Sequence, residues 1–426
     1  NLFEFFVITL LYNIYKIAFP LLYILSMSLD SFSLISFGGV VTAGKLAPTI
    51  LLLWYLVKIR FRIGLKSYRF FIPLILLFIY FSISALWSPN IALAFPRVFS
   101  FLFLFISFWL MSHYIQHQKN GLEYIFQAFI LFSVFVALLA LINFAELFSG
   151  EAVVRTGAMG MHALHTSTMI LSGTIVMIVG LAHKTSNFKF LKLVWYKYLI
   201  VFNVVALLST ATKTPIIVLF IIFIVINIYS FYRLTWHTGM KAILLSVAML
   251  VTLSAINPYI GIIDNISNRI NIVASKDGVI NKFGKGRFLI AEYAVTDAIK
   301  NPIFGVGLEG FKKNLIQSEH ISIRTSTHNT TLWSFAEGGL IGLLLWLNIV
   351  FLLSFGLHRL LKKTKKLQNP EIHELALTSS MLVILFLMLS LSYNIEFNKL
   401  FWVIMAIYAS TKTALNMKIN LNLNLN

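Results

Sequence analysis

Residues 70–87 read FFIPLILLFIYFSISALW, a run without one charged side chain. A helix of roughly 20 residues crosses a hydrocarbon core of about 30 Å, so this run is close to a complete membrane span. It is entered through Lys58, Arg60, Arg62, Lys66 and Arg69 and left through Ser88, Pro89 and Asn90. A basic flank on one side and a turn-forming polar flank on the other give the span a direction.

The same pattern recurs along the chain. With 426 residues, 59% hydrophobic and only 12% charged, and a mean hydropathy of +0.86, the chain has too much apolar surface for a soluble domain of ordinary composition. Apolar stretches bounded by charges or Pro/Gly predict an all-α polytopic membrane protein of about twelve spans. They lie near 5–28, 38–57, 70–87, 95–115, 124–147, 163–182, 193–211, 214–232, 241–260, 330–357, 375–394 and 399–416. A secretory signal does not account for them, because they continue past the first. The chain begins at Asn1 rather than Met, which leads us to expect a few residues ahead of it.

The net charge of +19 comes mostly from Lys and Arg between the apolar runs. Lys184, Lys189 and Lys192, and then Arg359, Lys362, Lys363, Lys365 and Lys366, join the group after the second run on one side. The positive-inside bias makes that side cytoplasmic and puts both termini there. No nucleic-acid motif accompanies the charge, so anionic headgroups and membrane lipids are the expected counter-charges. The chain has no Cys, which excludes disulfides and thiolate chemistry.

These assignments divide the chain into nine spans over 1–260, an outer loop domain over 261–327, three spans over 328–416 and an unstructured Asn-Leu tail over 417–426. The outer segment is too long for a mere connection. In it, Phe288, Ala291, Val295, Ala298 and Ile299 recur at helical spacing, with Arg287 in the first turn and Asn301-Pro302 as the stop.

Some local patterns mislead. Gly305-Val306-Gly307-Leu308-Glu309-Gly310 matches GxGxxG, but it follows a helix rather than a strand, and a turn is the better reading. Glu371-Ile372-His373-Glu374 lacks the second His of a zinc helix, because Leu377 stands there, and reads as a solvated helix start. Asp264, Asp277 and Asp297 are isolated, so no acidic pair points to a metal-bound nucleotide sugar.

The chemistry concentrates where the outer segment enters the tenth span. His328 and Asn329 precede Glu337, Gly338, Gly339 and Gly342 in an otherwise apolar run. A charged group at membrane depth is costly and marks a functional candidate. His328 can titrate near neutral pH, whereas Gly338 and Gly342 fit close helix packing.

The string His328-Asn329, nine residues, Gly339, two residues, Gly342 resembles the H-[N/S/Q]-x9-G-x-x-G pattern of O-antigen ligases, in a wider family that includes O-antigen polymerases. Ser84-Ala85-Leu86-Trp87-Ser88, Arg155-Thr156-Gly157, Gly286-Arg287 and Asn301-Pro302-Ile303-Phe304-Gly305-Val306-Gly307 with Phe311 resemble that family in the same order. The resemblance implies a GT-C-like membrane glycosyltransferase of the bacterial inner membrane, its site facing the periplasm. It implies an undecaprenyl-diphosphate-linked glycan as donor, lipid A core as acceptor, no cofactor and no metal, and inversion at the transferred sugar.

With the residues and the resemblance read together, His328, Arg287 and Lys213 are expected to be catalytic, and Arg155, Asn329, Arg269 and Glu396 substrate-binding. Arg155, in the outer turn before the sixth span, suits a contact to the acceptor or donor glycan and equally an interfacial anchor, while Arg269 and Lys285 also suit a basic face that attracts an anionic acceptor. Glu396 matches an acidic position of the family and stands near Lys399. Lys213, in Thr210-Ala211-Thr212-Lys213-Thr214-Pro215, occupies the place of a family Arg. Lys keeps the charge but cannot grip two phosphate oxygens in one plane.

Polymerases of the family tend to have two large outer loops. This sequence has one, and the segment from Phe148 to Met161 is short, which favours ligase. A transporter would show an internal repeat with matched helix breaks, and none is evident.

Overall fold

The computed structural model describes residues 19–25, 33–37, 39–58, 71–118, 120–146, 163–183, 193–210, 212–229, 285–317 and 327–423. A helical segment covers 19–25, and a short antiparallel hairpin pairs β1 (Ser33–Phe37) with β2 (Gly39–Thr42). The helices are α1 (Ala43–Lys58), α2 (Phe71–Ser84), α3 (Ile91–His117), α4 (Gly121–Glu146), α5 (Ala163–His183) and α6 (Leu193–Ser209). They continue with α7 (Lys213–Tyr229), α8 (Lys285–Lys300), α9 (Gly310–Gln317), α10 (Thr330–Lys366), α11 (Pro370–Ser390) and α12 (Lys399–Leu423).

Among the described residues, five helical stretches are long and apolar enough to cross a membrane: Ile91–His117, Gly121–Asn143, Ala163–His183, Thr330–Lys366 and Pro370–Ser390. Shorter apolar helices run over Pro48–Val57, Ile72–Trp87, Val194–Ser209 and Thr214–Ile226. The ninth expected span, 241–260, and Arg155 and Arg269 lie outside the described residues.

The centre of the bundle is α12, where Leu400 to Ala409 are all buried, with α3 and α11 packed against it. Polar side chains in the interior pair across helices, as a low-dielectric surrounding favours. Asn203 of α6 donates to Ser133 of α4 at 3.0 Å and to Thr174 of α5 at 3.2 Å. By contrast, Leu340, Leu344, Leu347, Phe351 and Phe355 form an exposed stripe on α10 at helical spacing, an apolar surface suited to lipid.

Element boundaries differ from the sequence expectation in several places. The second expected span starts as helix only at Ala43, because β-branched Val40, Val41 and Thr42 pair in the hairpin. The tenth runs past 357 to Lys366. Cations suit the carbonyl end of a helix, so Lys363, Lys365 and Lys366 end α10 rather than forming a loop. Residues 417–423, expected to be unstructured, continue α12.

The predicted outer helix forms as α8, but its buried face is rotated. Ile290, Ala294 and Ala298 are buried while Val295 and Ile299 are exposed. Ile290 and Ala294 pack with Val306, Phe311 and Ala336, and the small alanines permit that close approach. The start of α11 is not solvated either. Its His373 is buried, with ring nitrogens 2.8 Å from Thr364 Oγ1 and 2.9 Å from the Tyr229 carbonyl, which ties α11 to α10 and α7.

Candidate functional site at a broken helix

The site is organised by a break in α10. Gly339 has φ 58° and ψ −155°, a conformation outside the helix and essentially closed to other residues. The break frees backbone groups on both sides of it, and buried groups of that kind need partners. The 302–307 segment supplies them. Val306 N donates to Ala336 O and Gly307 N to Glu337 O, both at 3.0 Å, while Leu340 N donates to Pro302 O at 2.8 Å and Ile341 N to Ile303 O at 3.3 Å.

Gly305 (φ 69°) and Gly307 (φ 82°) make this approach possible. A Cβ on Gly305 would meet the Glu337 carbonyl at 2.5 Å, and one on Gly307 would meet Ser84 O at 2.7 Å. The GxGxxG string is therefore a turn whose glycines serve close backbone contact. Gly338 and Gly342 behave as packing glycines: an added Cβ would crowd Phe81 of α2 at 2.9 Å and 3.2 Å respectively.

A polar cluster surrounds the break. Glu337 is buried and its Oε2 accepts from the Glu309 amide at 2.9 Å and from Trp333 Nε1 at 2.8 Å. Arg97 of α3 donates through Nε to Glu309 Oε1, and Lys312 lies 3.8 Å from the other Glu309 oxygen. The Arg97 guanidinium also sits 4.5 Å from the centroid of Phe397.

At the start of α10, Asn329 is the N-cap. Its Oδ1 accepts from Thr331 N (2.8 Å) and Leu332 N (3.1 Å), and its Nδ2 donates to Leu391 O (3.1 Å). His328 precedes it, half-buried, with φ 51°. The α11–α12 connection is clamped to the same place. Thr330 Oγ1 lies 3.1 Å from Glu396 Oε2 and 3.2 Å from Tyr393 O, and accepts from Ile395 N at 3.0 Å. Thr327 Oγ1 donates toward Asn394 Oδ1 at 3.1 Å.

Burial lifts the Glu396 carboxyl to about 7, although its hydrogen bonds and the Arg97 charge pull the other way. Burial, reinforced by the Glu396 charge, pushes the Tyr393 phenol up to about 12. Tyr393 Oη lies 2.7 Å from His165 Nε2 in the first turn of α5. Ser392 Oγ donates to Thr214 Oγ1 at 3.4 Å, so the first turn of α7, which Lys213 opens, reaches the same connection.

The structure thus brings His328, Asn329, Glu396 and the backbone of Lys213 to one end of the bundle. Arg287 lies in the first turn of α8, one turn before Ile290, whose cluster includes Leu332, one turn after His328. The sequence reading missed Arg97, His165, Tyr393 and Glu309. Arg97 had a legible signal, as a cation inside an expected span. His165 and Tyr393 had none, because their pairing crosses 228 positions. Among the described residues no group of His, Asp or Glu could hold a metal ion.

Residues 198–347 match the family model described as O-antigen ligase. The match takes in Lys213, Arg287, the 301–307 turn and the His328-to-Gly342 string, and it supports the family resemblance read from those motifs. No curated protein matches the chain.

Proposed function

We propose, with the O-antigen ligase match as premise, that the chain transfers a polysaccharide from undecaprenyl diphosphate to a sugar hydroxyl of lipid A core. The reaction takes place on the periplasmic face of the inner membrane. The observation that carries this reading is that the matched stretch holds the two segments that pair at the broken helix, 302–307 and 330–342, together with Lys213, Arg287 and His328.

In this mechanism His328 takes the proton of the acceptor hydroxyl as its oxygen bonds to the anomeric carbon. The bond from that carbon to the diphosphate oxygen breaks, and the configuration inverts. Arg287 and Lys213 stabilise the charge gathering on the leaving diphosphate, Lys213 from the start of a helix whose dipole has the same sign. Asn329 and Glu396 shape the acceptor side, while Arg155 and Arg269 receive the anionic glycan or core. Residues 285–317 of the outer segment dock at this end of the bundle through the 302–307 turn.

Purified protein incubated with lipid-linked glycan and rough lipopolysaccharide tests the reading on a gel. Transfer to lipopolysaccharide supports it, and a ladder on the lipid carrier would assign a polymerase instead. His328→Ala, correctly inserted, should abolish transfer; transfer at the wild-type rate would remove His328 from the chemistry. Lys213→Arg should preserve activity and Lys213→Ala should reduce it, and equal activity in all three proteins would remove Lys213 from the site.

A further inference from the structure

Arg97 is a guanidinium that the functional reading leaves unused, and its surroundings are specific. Its Nε is held by Glu309 Oε1 and its flat face by the Phe397 ring. Glu309 is itself fixed, with its side chain 9% exposed, its amide on Glu337 and its second oxygen near Lys312. The Arg97 side chain is nevertheless 40% exposed. Its two terminal amino groups have no hydrogen-bond partner among the described residues.

A guanidinium held at Nε and across its face, with the outer edge open, has already lost the rotamer freedom that binding would otherwise cost. That edge matches two oxygens of a phosphate in one plane. The neighbouring surface is apolar, since Leu93, one turn before Arg97 on the same face of the helix, is exposed at 42%. A cationic edge beside an exposed hydrocarbon-like surface suits an amphiphile with a phosphate head and an isoprenoid tail. The Phe397 contact places this edge on the α11–α12 connection that also carries Glu396 and Tyr393.

We propose that Arg97 binds the phosphate head of the lipid-linked diphosphate through its two terminal amino groups, with Glu309 and Phe397 as the residues that position it. This rests on the transferase reading for the identity of the lipid, but its test is a binding measurement. Full-length protein in nanodiscs is titrated with geranyl diphosphate, geranyl monophosphate and geraniol.

The expected order of affinity is diphosphate above monophosphate, with geraniol weakest. Arg97→Gln should weaken diphosphate binding by about tenfold or more, the usual scale for losing charge-assisted hydrogen bonds, and leave geraniol binding unchanged. Arg97→Lys should fall between the two, because it keeps the charge and loses the fork. Wild-type affinity in a folded Arg97→Gln protein would overturn the proposal, as would wild-type protein that does not distinguish diphosphate from geraniol. If Arg97→Gln does not fold, Arg97→Lys decides, and wild-type affinity there overturns it equally. Arg97-dependent binding without glycan transfer would refute the ligase reading and leave this one standing; transfer with Arg97-independent binding would do the reverse.

Discussion

Replacing Gly339 with Ala tests whether the broken helix holds the candidate site together. The backbone there, φ 58° and ψ −155°, costs a non-glycine residue about 1–3 kcal/mol. The new Cβ would also lie 2.5 Å from Gly305 N and Ile303 O, backbone atoms that cannot swing aside as a side chain can. Relief requires the 302–307 turn to part from α10, which breaks the hydrogen bonds of Val306, Gly307, Leu340 and Ile341. At about 1 kcal/mol net each, separation costs as much as the strain it relieves. Gly339→Ala should therefore destabilise the protein by about 3 kcal/mol.

Gly338→Ala meets mainly the Phe81 ring and should cost about 1 kcal/mol, the low end for overpacking. Gly305→Ala disturbs the same contact from the other side, so the Gly305→Ala/Gly339→Ala double variant should cost less than the sum of the singles. Denaturation of the purified protein in mixed micelles gives the energies, and hydrogen exchange at the four amides reports the turn. Gly339→Ala with wild-type stability and undiminished amide protection would refute the reasoning.

Three further outcomes follow from the α10 start. Glu396 has its carboxyl raised to about 7 from 4.5, so its contribution to stability is fully present below about pH 4.5 and is lost as pH rises through about 7. The span corresponds to a cost on the order of 3 kcal/mol at alkaline pH, and Glu396→Gln should flatten a melting-temperature profile over that window. Thr330→Val removes a hydroxyl that supports the ionised Glu396. It should move the transition to higher pH and destabilise by about 1–3 kcal/mol, read from the same profile. Asn329→Ala should cost about 1 kcal/mol through the lost cap and speed exchange at Thr331 and Leu332, whereas Asn329→Asp should keep those amides protected and lose only the bond to Leu391 O.

Much of the helical layout was legible because hydropathy and helix stops are local properties. The run at 70–87 appears as α2 and its following 3-10 turn, and Asn301-Pro302 follows the end of α8. The α8 face was misjudged because Val295 and Ile299 are as apolar as the residues that are buried. Only the partners, Ala336 and Phe311, select Ile290 and Ala294. Gly338, Gly339 and Gly342 of α10 look alike in sequence, yet Gly338 and Gly342 pack against Phe81 and Gly339 breaks the helix.

The sequence by itself determined that the chain is helical and dominated by apolar runs, which strings carry the ligase resemblance, and which polar residues stand out against those runs. Each of these depends on composition and short-range periodicity. Tertiary structure alone decided that the 302–307 turn completes the break in α10, and that Arg97 meets Glu309 across 212 positions. A residue's spacing along one helix states which face it occupies. What that face meets depends on how distant backbone groups and charges satisfy one another once water is excluded.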